Sequence, residues 1–445
     1  MKKLMSLSIM LLVFSMITAC SGNTDNASNA GSGGETDNGA AATNSAEPVK
    51  LSIWHNFSGD DQRAQTMRGL IEAYATAHPE VELDVQAIPP DGYKQRLKTV
   101  AAANELPDVF LTNPGSMIAE FYNGGLIQPI DDLLDREPEW VDGFLPGAFE
   151  SHTFDGAVYA APINHSPSSI LYYNSDLFEK YSVKVPATWD ELMTAIDTFN
   201  SNGITPFALG NKASWVADST LLSTLGNRVT GTDWFLNAVK GEGASFNDPE
   251  FVKALDYFKQ LVDADAFQEG ANSIDNTQAE QYFIQGKAAM TMGGNWTLTS
   301  LATTASPETL EQVGVTVFPS VPDGKGEANS LSASTGTGFA LNAKAEGAQR
   351  DAAFDLIYAI SGPDAQKAIA ESNTLVIYKA DVDESKVTPL FKKAYDLISS
   401  VSLTPVYDAY LSSATTEAVN NGLQELMLGG DPAEVAAKIE AATGR

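Results

Sequence analysis

Cysteine is nearly absent: Cys20 is the only one in 445 residues, so no intrachain disulfide can form and stability must come from the core. Histidine is scarce, at positions 55, 78, 152 and 165, and no two are spaced as a metal pair. No transition-metal site and no cofactor are therefore expected. Beyond the N-terminus no stretch reaches the roughly 18 consecutive apolar residues of a membrane-spanning helix. Basic residues are outnumbered, 27 against 57 acidic ones, for a formal net charge of −30. Such a surface repels nucleic acid and anionic lipid and disfavours a phosphate-rich ligand. It excludes partners without naming one. Phosphate-loop, dinucleotide-binding, nucleophile-elbow and HExxH motifs are all missing. Asp381-Val382-Asp383-Glu384 lacks the glycine and the distal glutamate of a calcium loop and reads as an exposed acidic turn. With 57 carboxylates, a glycosidase-like pair would arise by chance, so their presence argues nothing.

What is present begins with Lys2 and Lys3, followed by an apolar run from Leu4 to Ile17. At about 14 residues the run is too short for a bilayer core, which needs roughly 20, and it reads as an export signal. It closes on Ile17-Thr18-Ala19-Cys20, which resembles the bacterial lipobox. That resemblance implies a signal peptide over 1–19 and a diacylglyceryl group on Cys20. Residues 20–48 carry no large apolar side chain and are expected to form a disordered tether with a reach of about 30 Å. Membrane contact would then be through the lipid alone, on the extracytoplasmic face.

The remainder, close to 400 residues and beyond the size at which single cores stop growing, suggests two domains. Strand and helix patterns alternate from Leu51 onward. Apolar positions Met67, Leu70, Ile71 and Tyr74 predict a helix before Pro79, and Tyr93, Leu97, Val100 and Ala101 predict another. Short apolar runs at 50–54, 81–87, 107–111, 169–174, 288–292 and 313–318 predict strands. Thr188-Trp189-Asp190-Glu191 has capping-box form, and Asp431-Pro432 should open the last helix. From 346 onward the pattern is mainly helical. Such alternation means an α/β fold with mostly parallel sheets, whose ligands sit beyond the carboxyl ends of the strands. His55–Asp61 and Thr112–Gly115 are therefore the loops to inspect.

Several stretches together resemble family 1 of the extracellular solute-binding proteins. They include Leu106-Pro107-Asp108-Val109-Phe110, Gly124-Gly125-Leu126-Ile127, Tyr159-Ala160-Ala161-Pro162 with Leu171-Tyr172-Tyr173-Asn174, and Pro186–Leu192. Ala289–Trp296 and Gly336–Ala343 fit as well, so the resemblance spans nearly all of 49–445. Gly203-Ile204-Thr205-Pro206-Phe207 with Trp215 is most similar to binders of raffinose-type oligosaccharides. The family implies a periplasmic-binding-protein-like fold of two lobes, 49–164 with 336–384 and 165–335 with 385–445, joined by segments that cross a ligand cleft. It implies a monomeric, non-enzymatic carrier that closes on an oligosaccharide and delivers it to the permease subunits of an ABC importer.

A sugar needs aromatic plates for its C–H faces and polar groups for its hydroxyl rim. Trp296, after a strand and two glycines, and Trp215, after a turn-like stretch, are the expected plates, because the family stacks aromatics there. Trp54, Trp189 and Trp234 read as core. Asn56 and Asn113 fall in loops after strands, and Asn164 and His165 lie in the expected crossing segment. Asp408 and Tyr410 match the family's late aromatic contact region, although maltose-binding protein, a member, carries a tryptophan slightly further on. Two alternatives stay open: a secreted two-lobe enzyme acting on glycans with an Asp/Glu pair in its cleft, and the same fold binding a polyamine or another small solute.

Overall fold

A computed structural model describes residues 47–145 and 147–445; Cys20, the export-signal run and nearly all of the tether lie outside the described residues. Val49–His55, Val81–Ala87 and Val109–Thr112 pair in parallel, with Val49–His55 in the middle. Between them the expected helices form at Gln62–Ala77 and Pro90–Ala102, burying Met67, Ile71 and Tyr74 from the first and Tyr93 and Leu97 from the second. Asp61 caps the first helix by accepting the amide of Ala64. The chain returns far downstream to complete this sheet: Gly338–Asn342 lies antiparallel against Val109–Thr112, and Ile127–Gln128 and Ala160–Pro162 pair with it in turn. One hydrophobic core surrounds the sheet and draws on Leu51 to Ile163 and Phe339 to Ile377.

A second sheet runs Thr205–Ala208, Ala288–Gly293, Ile170–Asn174, Val313–Thr316. Ile170 and Tyr172 enter one core and Leu171 the other, the alternation of a strand covered on both faces. The helices that cover it include Trp189–Ser201, opened by the expected capping box of Thr188 and Glu191, and Pro249–Asp263. Pro432–Ala442, capped by Asp431, packs beside the latter. The region after 346 is largely helical, with one departure. Ser402–Thr404 is a short strand lying parallel to Ser330–Ser334, which also pairs with Ser166–Pro167. Two α/β lobes result, and among the described residues no helix is long and apolar enough to cross a membrane.

The chain leaves the first sheet at Pro162, enters the third at Ser166, and goes back from Ser334 to Gly338. These two passages run side by side. Ile163 N–H donates to the carbonyl of Thr337 at 3.0 Å, and Asn164 Oδ1 accepts from both the amide (3.1 Å) and the hydroxyl (2.8 Å) of Thr337. Gly336, at φ +80°, lies so close that a Cβ would stand 2.1 Å from the carbonyl oxygen of Asn164. Asn164, expected at the ligand, is 2% exposed and ties the two passages together instead.

Candidate functional site

On the first lobe, the strand ends are shaped by polar contacts that leave other groups free. His55 is fully buried, and its Nδ1 accepts the amide of Phe57 at 3.1 Å, which puts the proton on Nε2. That Nε2 has no partner. Burial, helped by the Arg68 cation, pushes the imidazole down to about 4, so it is neutral at physiological pH. Arg68 donates to the carbonyls of Phe57 and Gly59, both at 2.7 Å, and so holds the loop that carries Asn56. The half-buried side-chain amides of Asn56 and Asn113 have no hydrogen-bond partner among the described residues.

The second lobe supplies the aromatics. Asn211 locks the turn before Trp215: its Oδ1 accepts the amide of Ala217 at 3.1 Å while its Nδ2 reaches Asn272 at 3.2 Å. Ser214, at φ +64°, completes the turn. Trp215 and Trp296 then meet edge to face, ring centroids 5.3 Å apart at 75°. Trp215 backs onto a core, whereas Trp296 belongs to none of the three hydrophobic cores. A Cβ on Gly294 would lie 2.3 Å from the Trp296 ring and 2.5 Å from the carbonyl of Pro167, so the indole rests on the crossing strand. Its Nε1–H is buried without a partner.

Asn295 sets this arrangement. Its Nδ2 donates to the carbonyls of His165 (2.9 Å) and Leu375 (3.1 Å), and its Oδ1 accepts the Leu375 amide at 2.9 Å. One side chain thus joins the Trp296 turn to two separate passages of the chain. His165 itself is half-buried, and burial pushes its imidazole down to about 4.

One turn beyond Trp215 lies Asp218, in a π-helical turn over Ala217–Leu222. Such turns are frequent at functional sites. Asp218 is fully buried and neither carboxylate oxygen has a partner. Burial first, then the neighbouring Asp408, pushes its carboxyl well above the usual range, and Lys94 from the first lobe opposes the shift. Asp408 is steadied by Ser219, whose hydroxyl donates to Oδ2 at 2.8 Å. Tyr407 beside it stacks flat on Phe235, centroids 3.8 Å apart at 3°. Tyr410 lies outward, 45% exposed.

The lobes touch on both sides of this cluster. On one flank Ser116 Oγ donates to the carbonyl of Asp408 at 3.1 Å, and Lys98, paired with Glu120 of its own lobe at 3.1 Å, donates to Ser413 at 2.7 Å. On the other, the amide of Gln62 donates to Thr303 Oγ1 at 2.9 Å, its side-chain oxygen being held by Asn373 of its own lobe, also at 2.9 Å. Two open surface grooves, one lined by Tyr173, Lys393 and Asp396 and one by Phe144, Phe149 and Lys379, include none of the residues above. The described residues hold no group of three or more His, Cys, Asp or Glu able to take a metal ion. Asp383, in the acidic turn, instead accepts the amide and hydroxyl of Ser385.

The sequence expectations thus divide. Trp215 and Trp296 contact each other, His165 bonds to Leu375 and Asn295, Asp408 meets Ser116 of the first lobe, and Asn56 and Asn113 directly follow strands of the first lobe. Asn164 serves the crossing, and Tyr410 lies at the rim. Trp54 and Trp189 are buried, and Trp234 is partly buried against Phe251 with its Nε1 on Asp248. Asp218 and Asn295 were not foreseen. For Asp218 a signal existed: a single acid inside the otherwise uncharged run from Trp215 to Asn227, where an unpaired carboxylate is rare.

Residues 59–367 match the family described as bacterial extracellular solute-binding protein. The chain is 28% identical over 253 residues to a xylose/arabinose-binding protein of Haloferax volcanii, covering 56% of this chain and 53% of that one. It is 24% identical over 398 residues to a melibiose/raffinose/stachyose-binding protein of Bacillus subtilis, covering 87% and 88%. Against the first of the curated relatives the match spans less than two thirds of their own length, between 53% and 63%. A solved structure from work on xylan utilization by Caldanaerobius polysaccharolyticus superposes with a TM-score of 0.80 at 28% identity, over 88% of this chain and 99% of that one.

Proposed function

The chain belongs to the bacterial extracellular solute-binding proteins, and we propose that it is the capture subunit of an ABC importer, closing two lobes on an oligosaccharide and presenting it to the permease. The observation that carries this reading is the Trp215–Trp296 pair. Trp296 is packed into no core, rests on the crossing strand, and keeps an unpartnered N–H. An aromatic face with polar groups around it is what a sugar ring requires. The sugar ligands named for the relatives support the same reading. The lobes divide as 49–164 with 336–384 and 165–335 with 385–445. The body works as a monomer, held at the cell surface by lipid on Cys20.

Closure follows from differential affinity: ligand that touches both lobes favours the state in which both are in reach. A thermal-shift screen against oligosaccharides tests the reading. A ligand at about 100 times its dissociation constant stabilises by about 2.7 kcal/mol. No shift with any sugar would refute it, and release of smaller sugars during incubation would mark an enzyme. The buried carboxylate of Asp218, with the half-buried Asp408 beside it, favours a second reading, in which the same fold takes a polyamine.

A further inference from the structure

One face of the short Ser116–Asn123 helix of the first lobe is spent on the second lobe. Ser116 and Glu120, four residues apart, stand on the same side of that helix. Ser116 Oγ donates to the carbonyl of Asp408 at 3.1 Å, and the Glu120 carboxylate accepts the hydroxyl of Ser413. The same hydroxyl accepts from Lys98 Nζ at 2.7 Å, and that ammonium lies 3.1 Å from Glu120. Ser413 is thus inserted into an ion pair, donating to its anion and accepting from its cation. It opens the 15-residue Ser413–Met427 helix, whose amino end carries partial positive charge and so favours the carboxylate beside it. Leu97 and Phe121, next in sequence to Lys98 and Glu120, enter the first lobe's core, and Leu411 and Val419 enter the second lobe's.

Closure affects the three groups differently. Lys98 and Glu120 share a lobe, so they can pair whether the lobes stand apart or together. With side chains 37% and 38% exposed, that pair by itself adds little. Ser413 comes from the other lobe, so its two hydrogen bonds exist only while the lobes touch. Both go to charged partners, which makes them the stronger class of hydrogen bond. We propose that Lys98, Glu120 and Ser413 form a latch that biases the protein toward closure before ligand binds, and so sets affinity without touching the ligand. The proposal rests on the lobe closure in the capture reading and is indifferent to whether the ligand is a sugar or a polyamine. Apparent affinity is the intrinsic affinity scaled by the fraction of molecules already competent to bind. A latch therefore multiplies the affinity for every ligand by one common factor, whereas a residue in contact with ligand changes it by a different factor for each. The bias is partial, and ligand completes the closure.

The test is small-angle scattering of the ligand-free parent, Ser413→Ala, Glu120→Gln and the double variant, with melting temperatures and calorimetric titration against raffinose, stachyose and xylotriose. Ser412, not Ser413, caps the helix by accepting the Thr415 amide at 3.2 Å, so Ser413→Ala keeps the cap and should melt with the parent. Its ligand-free radius of gyration should exceed the parent's, and its affinity for each sugar that the parent binds should fall by one shared factor of about three to ten. Adding Glu120→Gln to Ser413→Ala should change neither value further, because the carboxylate then has no cross-lobe partner to lose. Equal ligand-free radii in the parent and Ser413→Ala would overturn the latch and leave the capture reading standing. A loss that differs from sugar to sugar would place Ser413 at the ligand and overturn it as well. A parent that binds none of the three sugars, with a more open Ser413→Ala, would support the latch and count against the sugar reading alone. Should Ser413→Ala melt well below the parent, Lys98→Met carries the same comparison of radii and affinities.

Discussion

Trp296 and Trp189 are the same side chain in different surroundings. Trp189 is 4% exposed, edge-on to Tyr257 at 4.6 Å, and part of a core. Its replacement by Ala should cost about 3–5 kcal/mol of folding stability. Trp296→Ala should instead weaken sugar binding by up to roughly 70-fold, from about 100 Å² of apolar surface at 25 cal/mol per Å². Its ligand-free melting temperature should stay near the parent's; parent-like affinity with a much lower melting temperature would place Trp296 in the core after all. Glu280 offers a second residue-scale test. It is fully enclosed, and burial raises its carboxyl to about 7 against hydrogen bonds from Ser300, Thr297 and Asn276. A folded pKa above the unfolded one means stability that is present below about 4.5 and lost as pH rises through about 7. The loss amounts to about 3 kcal/mol. Since Thr297 and Asn276 both donate to Oε1, Glu280→Gln preserves both bonds. Melts at pH 4 and pH 8 should show the variant level with the parent in acid and more stable in base. Trp215 and Trp296 were singled out together because the family resemblance puts stacking aromatics at those positions, and the structure brings their rings into contact. Asn295 was not, because its partners lie 80 and 130 residues away and no local pattern encodes them.

Helices and strands with a clear period were legible along the chain: Thr188 and Glu191 make the capping box that their spacing suggests, and Asp431 caps the last helix. Ser402–Thr404 escaped notice because three residues buried as exposed, exposed, buried have no period, and its register is set by Ser330–Ser334. The short Ser116–Asn123 helix carries the most testable junction between elements. Gly115 precedes it at φ +73°, and a Cβ there would lie 1.6 Å from the carbonyl oxygen of Ala409 on the other lobe. Gly115→Ala should therefore resist closure while leaving the aromatic pair intact, with a smaller strain contribution from its left-handed backbone. Small-angle scattering reads this directly: the parent's radius of gyration should shrink with saturating sugar, and the variant's should shrink less, with weaker affinity. Equal contraction in both would remove Gly115 from the closing contact.

For the whole molecule, the proposed anchor and the body are expected to be separable. Cys20 lies outside the described residues, and the proposed lipid there acts through the 20–48 segment. Cys20→Ser should release the protein into the medium with sugar affinity unchanged, and retention at the membrane without acylation would count against lipid anchoring. The two-lobe plan was legible from the order of the matching stretches. The pairing of passages through Asn164 and Thr337 was not, since they stand 173 residues apart. That wide separation bears on how the chain is made. Gly338–Asn342 is the strand to which Val109–Thr112, Ile127–Gln128 and Ala160–Pro162 all attach. A polypeptide emerging N-terminus first cannot finish its first lobe until that strand has followed. Distant pairing of this kind slows folding, because loop closure precedes the reward. Under the export proposed from residues 1–19, that delay would be protective: the half already through would have no finished sheet to lock, and the half still to come would remain slack.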